Sequence, residues 1–279
     1  MYKVGLSSCA KNLLENGENL FASYEKAGIA AMEIAVPAGQ HLLLDYKKVQ
    51  VLAKQHNVKL WSYHLPYYPF NEVDIADEKI SKKAVGYFSE LIKRAAEIGI
   101  DKFIVHPSGI LDNEDEREEK KEIVKENLFT LAEIAEQNGG VIAVENMIPS
   151  CIGRNSNEML ELLNVSPKLR SCFDTNHLIS ERPEDYLHAI GDRLVTVHVS
   201  DYDFINERHW LPGEGKLDWG MILKTLQEVG YKGIWMYEIN FNAPDTIIRD
   251  RNLTCEDFVR NARELFAGGP LTVIGTPNV

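Results

Sequence analysis

The stretch LVTVHVSDYDFINERHWLPGEG, residues 194–215, joins a strand-like run to a polar loop. It begins with apolar and β-branched residues, a composition typical of a buried parallel strand. His198 stands near the end of that run, and the loop then presents Glu207, Arg208 and His209. Imidazoles and carboxylates are poor packing material but good metal ligands. The stretch therefore predicts a strand whose carboxyl end opens onto a metal site.

Similar apolar runs alternate with helix-like segments along the whole chain. The other strand-like runs are residues 2–6, 31–36, 59–65, 102–106, 141–145, 169–174 and 233–239. Helical patterns lie between them, most clearly at 80–98, where an apolar stripe ends at Gly99. Eight such strands in 279 residues predict the α/β class and a (β/α)8 TIM barrel.

One alternative is a doubly wound open sheet, which normally has a glycine-rich turn after its first strand. Residues 7–10 read SSCA, which is no such turn. No linker divides the chain, so we predict one domain over residues 1–279 with a loop-like C-terminal tail at 268–279.

Composition narrows the classes of partner. The chain has 30 Lys and Arg against 42 Asp and Glu, for a net charge of −12. Such a protein repels phosphate backbones unless it has a basic stripe, and the sequence contains none, so nucleic acid is disfavoured. We find no signal peptide and no apolar run of membrane-spanning length. Four scattered cysteines suit a reducing cytosol, so we expect a cytoplasmic protein without membrane contact.

The predicted strands share one feature, a titratable residue near the carboxyl end. In a barrel these ends meet at one mouth, so the side chains would surround one point. So many buried polar groups would be costly without partners, and a shared divalent cation would satisfy several of them. Strands three to eight end with His64, His106, Glu145, Asp174, His198 and Glu238, and Glu33 occupies strand two.

Further histidines divide into two groups. His177 follows strand six and His209 lies in the seventh loop, so both extend the set at the mouth. His41, His56 and His188 fall in loop or helix contexts, and we expect them at the surface.

Five motifs carry a resemblance to a known superfamily. They are VENM at 144–147, FDTNH at 173–177, HVSD at 198–201, ERHWLPGEG at 207–215 and YEIN at 237–240. With these motifs in this order, the chain resembles the xylose-isomerase-like barrels. That superfamily includes sugar and sugar-phosphate isomerases and epimerases, and also apurinic endonucleases of the endonuclease IV type.

The isomerase branch implies a single divalent metal, Mn²⁺, Mg²⁺, Co²⁺ or Zn²⁺. Carried over by motif, its ligands are Glu145, Asp174, His198 and Glu238. The resemblance implies that Glu145 and Glu238 move a proton next to a ketose carbonyl through a cis-enediolate. The substrate would be a small sugar or sugar phosphate, and a homo-oligomer stays open.

The same resemblance suggests residues that contact the substrate or support the metal. His64, His106, His177 and Arg208 would hold oxygens of the sugar, and Asp201 would support a metal ligand. Aromatic candidates for the pocket wall are Trp61, Tyr67, Phe70 and Trp210. Epimerases of this group often carry a second acid about six residues after the strand-five glutamate, and Cys151 stands there instead.

Three other functions stay open. In the endonuclease branch two additional zinc ions, three in all, would use His64, His106, His177, Glu207 and His209, with Glu207 replacing the usual aspartate. Dehydration of an inosose would use the same single-metal site. A non-catalytic barrel would be favoured if Glu145 or Glu238 were missing, and both are present.

Overall fold

Eight parallel strands form a closed barrel in the computed structural model, which describes residues 1–10, 13–37, 39–67 and 73–279. Strand order follows the chain, and β1 pairs with both β2 and β8. The predicted TIM barrel is therefore confirmed. The strands are β1 Val4–Ser7, β2 Ala31–Ile34, β3 Lys59–His64, β4 Lys102–Val105, β5 Val141–Glu145, β6 Arg170–Asp174, β7 Leu194–Val199 and β8 Trp235–Tyr237.

A helix follows each strand and covers the outside of the barrel. The predicted stripe of the third helix is buried from Ala84 to Ala95, and Gly99 follows with a φ of 93° that favours glycine. The helices are α1 Leu13–Ala27, α2 Tyr46–Gln55, α3 Ser81–Glu97, α4 Arg117–Gln137, α5 Ser156–Leu163, α6 Pro183–Ile190, α7 Trp219–Glu228 and α8 Cys255–Ala267. None of the helices in the described residues has the length and hydropathy needed to cross a membrane.

The register of the strands sets the height of each side chain in the barrel. Asp174 of β6 pairs with His198 of β7, so these two residues lie at one level at the carboxyl end. The amino-terminal end, or base, is filled by Ala31, Ile234 and Met236 with Trp61 packed against them. The two ends therefore differ in kind, because one gathers polar groups and the other is a packed apolar layer.

The C-terminal tail contains a strand that the sequence analysis did not predict. Gly275–Pro277 forms β10 and pairs antiparallel with β9, Ile247–Arg249, outside the barrel. The expectation of a wholly loop-like tail is therefore wrong. Neither strand has a periodic apolar pattern, because each is only three residues long.

Candidate metal centre

Four predicted ligands meet at the mouth of the barrel and form what we call the central cluster. It consists of Glu145, Asp174, His198 and Glu238, from β5, β6, β7 and the residue after β8. One potential ligand atom from each lies within 4.8 Å of the others. Three of the side chains are fully buried, and that of Glu238 is 16% exposed.

His198 is the centre of this geometry. Its Nδ1 lies 3.1 Å from Glu145 Oε1, 3.2 Å from Glu238 Oε2 and 3.9 Å from Asp174 Oδ2. Its Nε2 lies 2.9 Å from Glu33 Oε2, which also accepts a hydrogen bond from the Ser62 hydroxyl at 2.7 Å. A carboxylate on the far nitrogen of a histidine fixes the ring and its tautomer for metal binding. Nδ1 is therefore the nitrogen that faces the three carboxylates and would be available to a cation.

Two buried carboxylate oxygens test whether a metal fits here. Asp174 Oδ2 has no hydrogen-bond partner in the described part of the chain, and Glu145 Oε2 has only two histidine nitrogens near it, at 3.2 and 3.3 Å. Burial and the neighbouring Glu145 and Glu238 carboxylates raise the pKa of Asp174 to about 7, although His177 opposes this shift. A buried carboxylate oxygen without a partner is costly, and a divalent cation would coordinate Asp174 Oδ2 together with the neighbouring carboxylates. The donor set of three carboxylates and one imidazole fits such an ion.

Two histidines lie beside the central cluster on the side of Glu145. His64 Nε2 is 3.3 Å and His106 Nε2 is 3.2 Å from Glu145 Oε2. Burial alone would lower the pKa of His64, but hydrogen bonding and charge from Glu145 and other acids raise it to about 9. For His106 burial prevails, and its pKa is lowered. Tyr67 stacks on His106 with ring centroids 4.5 Å apart, so this predicted wall residue does reach the mouth.

A second set of ligand-type side chains, the outer cluster, consists of His177, Glu207 and His209. Glu207 Oε1 lies 2.7 Å from His209 Nε2 and 3.4 Å from His177 Nε2. Burial opposes ionisation here, but the two histidines hold the pKa of Glu207 well below its usual range, and Glu207 raises that of His209 to about 9. Residues from two different loops are thus brought together as the sequence predicted.

Several other expectations about placement are wrong. Trp61 lies at the base, where its indole N–H donates to Thr196 Oγ1 at 3.0 Å and the Lys102 ammonium lies 3.9 Å from its ring centroid. It is an early residue of β3, so it points into the amino-terminal layer and cannot line the mouth. Trp210 is 1% exposed and donates to Thr246, so it is a packing residue of the loop. Phe70 lies outside the described residues.

Three further polar residues have partners within the fold that the sequence analysis did not predict. Asp201 accepts hydrogen bonds from three backbone N–H groups and the Trp219 indole, and so organises its own loop rather than a metal ligand. Arg208 pairs with Asp203, Nη2 to Oδ2 at 2.8 Å. His41 is buried at 2% exposure, with Nδ1 3.0 Å from the Tyr63 hydroxyl, and is not a surface residue.

Three residues that the sequence analysis did not identify support the side chains of the central cluster. The motifs assign no role to Glu33, although a carboxylate inside the apolar run AMEIAV is itself a signal. Asn146 accepts from the Asp174 backbone N–H at 2.8 Å, and the Asn176 N–H donates to Asp174 Oδ1 at 2.6 Å. Both asparagines are in the recognised motifs, one beside a ligand and one two residues away, and that position was the available clue.

Comparisons with known proteins place the chain in a family. The profile of the xylose isomerase-like TIM barrel family matches residues 21–254. A fructoselysine 3-epimerase of Shigella flexneri is 26% identical over 284 residues, covering 91% of this chain and 99% of its own. A D-tagatose 3-epimerase-like crystal structure has a TM-score of 0.79 at 23% identity, over 95% of this chain and 96% of that one.

A zinc-bound IolI crystal structure has a TM-score of 0.76 at 19% identity, over 95% of this chain and 97% of that one. At 23% and 19% identity, the D-tagatose 3-epimerase-like and IolI structures show a shared fold and nothing more. The family profile, in contrast, matches most of the chain. The chain therefore belongs to the xylose isomerase-like TIM barrel family.

Proposed function

We propose that the protein is a divalent-metal-dependent isomerase or epimerase of a ketose sugar, free or phosphorylated. The observation that carries the proposal is the central cluster, where two glutamates, an aspartate and a histidine surround one point. Among the described residues, the buried Asp174 Oδ2 in this cluster has no hydrogen-bond partner. The similarity to a fructoselysine 3-epimerase over nearly the whole chain supports the sugar class.

Glu145, Asp174, His198 Nδ1 and Glu238 would hold the cation. A divalent cation bound there would polarise a substrate carbonyl and acidify the neighbouring C–H. Glu145 and Glu238 are the acid and base, because their strands are not neighbours in the barrel and both carboxylates reach the same centre. Glu145 or Glu238 takes the proton and leaves a cis-enediolate. The other carboxylate, once it has been protonated from solvent, delivers a proton to the opposite face, which inverts that carbon.

Return of the proton to the adjacent carbon on the same face, with a hydroxyl proton moving between the two oxygens, gives aldose–ketose isomerisation. Burial opposes a charged carboxylate, but His198 holds the pKa values of both Glu145 and Glu238 below their usual range. Both carboxylates are therefore ionised at neutral pH, the state a general base needs. His64, His106 and His177 would hold sugar oxygens around this centre. Arg208 would reach a substrate phosphate only by leaving Asp203.

The test is a panel of ketoses, ketose phosphates and inososes. Metal-stripped protein is assayed before and after addition of Mn²⁺, Mg²⁺, Co²⁺ or Zn²⁺. We expect epimerised or isomerised product from at least one ketose, only after metal is restored. Dehydration of an inosose alone would move the reaction class to a lyase at the same site, and no product from any ketose would count against the proposal.

A zinc-dependent apurinic endonuclease is the second candidate. It is favoured by the outer cluster and by the group His64, His106 and Glu145, which with the central cluster make three sets of ligand atoms. The net charge of −12 opposes it, because DNA enzymes neutralise several phosphates with Lys and Arg. About one metal per chain supports the sugar enzyme, whereas three zinc ions with cleavage of an abasic duplex would establish the endonuclease.

A further inference from the structure

The segment between β7 and α7, residues 200–218, is the seventh loop, and it carries the outer-cluster residues Glu207 and His209. His209 has a φ of 52°, in the left-handed region that a side chain other than glycine rarely adopts. Strained backbone of this kind persists only where surrounding contacts over-determine it. On the inner side Asn176 Oδ1 accepts from the Arg208 N–H at 3.0 Å and the His209 N–H at 3.3 Å.

A buried ion pair holds the outer side of the same loop. The Glu214 carboxylate accepts from the Arg249 guanidinium at 2.6 Å, and both side chains have 0% exposure. Glu214 also accepts from the Leu211 N–H at 3.0 Å and from the Gly275 N–H at 2.6 Å. One side chain therefore ties together the loop, β9 and β10.

The C-terminal segment 271–278 packs on this ion pair and on the loop. A Cβ added to Gly213 would lie 2.8 Å from Leu271 Cδ1, so the segment contacts the turn at van der Waals distance. The Asn278 N–H donates to the Thr246 carbonyl at 2.9 Å. Thr246 Oγ1 in turn accepts from the Trp210 indole at 3.0 Å, and Trp210 directly follows the strained residue.

We propose that Glu214, Arg249 and residues 271–278 form a clasp that positions Glu207 and His209 at the mouth. The proposal rests on the proposed function only in taking the mouth as the substrate site. When the clasp opens, His209 relaxes to an ordinary φ and its imidazole leaves Glu207. The central cluster stays in place, because three of its ligands are strand residues and Glu238 directly follows β8.

Hydrogen–deuterium exchange of the full chain tests the clasp without any substrate. In Arg249→Met we expect exchange in peptides covering 203–215 to rise about tenfold or more, with the barrel strands unchanged. Arg249→Lys should restore most of the protection. The matched control is Arg251→Met, which removes a 2.6 Å pair with Asp257 on the neighbouring helix and leaves the turn untouched. An unchanged loop, or a rise spread over all strands, would overturn the proposal.

Two further measurements separate positioning from general stability. With a ketose from the panel, Arg249→Met should raise KM several-fold more than it lowers kcat, while metal uptake by the central cluster stays at the wild-type level. Leu271→Ala is a milder change and should give a smaller rise of hydrogen–deuterium exchange in the seventh loop. This variant keeps the test decisive if Arg249→Met folds poorly. An equal fall of kcat and metal uptake would contradict the clasp. If the wild-type protein converts no ketose, the proposed function fails, and the exchange data still decide the clasp.

Discussion

The central and outer clusters use the same types of side chain but are built differently. Central residues lie at or one residue before the ends of strands β5 to β7, or directly follow β8, and the register of a closed barrel fixes their height. Outer residues lie on loops, where Glu207 and His209 keep exposures of 36% and 35%. The comparison teaches that a strand-borne site is fixed by the fold itself, whereas a loop-borne site needs its own ties. Residues of the loop-borne outer cluster can therefore change in function without a change in the barrel.

The largest expected effect comes from removing a carboxylate of the central cluster. Glu145→Gln and Glu238→Gln keep the shape of the side chain but cannot take a proton, so turnover should fall by about 10³-fold or more. Circular dichroism should show an intact barrel. The control Glu161→Gln changes a surface glutamate that pairs with Lys121. Near-wild-type turnover in Glu145→Gln or Glu238→Gln would remove the acid–base assignment.

The second largest effect is expected from the residues that hold His198 of the central cluster in place. Glu33→Gln weakens the hold on His198 Nε2, and we expect the affinity for Mn²⁺ or Zn²⁺ to fall by about 10- to 100-fold. Competition with a chelator measures this affinity. Ser62→Ala removes only the hydroxyl that orients Glu33 and should cost less. Equal affinities in wild type and Glu33→Gln would show that His198 needs no such support.

A change in the outer cluster should leave metal uptake by the central cluster unchanged. Glu207→Gln weakens the contact with His209 and should raise KM about fivefold to tenfold, equivalent to the loss of one hydrogen bond. Metal content, measured by elemental analysis, should match wild type. A loss of bound zinc in this variant would instead indicate a metal at the outer cluster, and the comparison would then favour the endonuclease.

The smallest expected effect is a change in the thermal stability of the metal-free protein with pH. His64 and His209 have pKa values of about 9 in the fold against an ordinary 6.5. Because their folded pKa is raised, the stability they contribute is complete below pH 6.5 and is lost as pH rises through about 9. Thermal midpoints of chelator-treated protein should therefore fall over this range, and less so in His209→Asn. His188→Gln, at an exposed histidine, should follow wild type, and a flat wild-type profile would contradict the assigned pairs.

The sequence was sufficient for the barrel and for the positions of the central-cluster residues, because strand periodicity and motif order both predict strand ends. The sequence did not predict at which end of the barrel a strand residue places its side chain. Trp61 lies only three residues from His64, yet it packs at the base. It also failed for contacts made across loops, since Trp210, His41 and β10 have partners that no local pattern reveals.

Solvent deuterium incorporation tests the central claim most directly. The metal-loaded protein is incubated in D₂O with each ketose of the panel, and the carbon next to the carbonyl is followed by NMR. We expect deuterium at that carbon for the true substrate, with incorporation abolished by chelation and reduced by about 10³-fold in Glu145→Gln. Epimerisation without deuterium uptake, or uptake that survives loss of both Glu145 and Glu238, would contradict proton transfer by the central cluster.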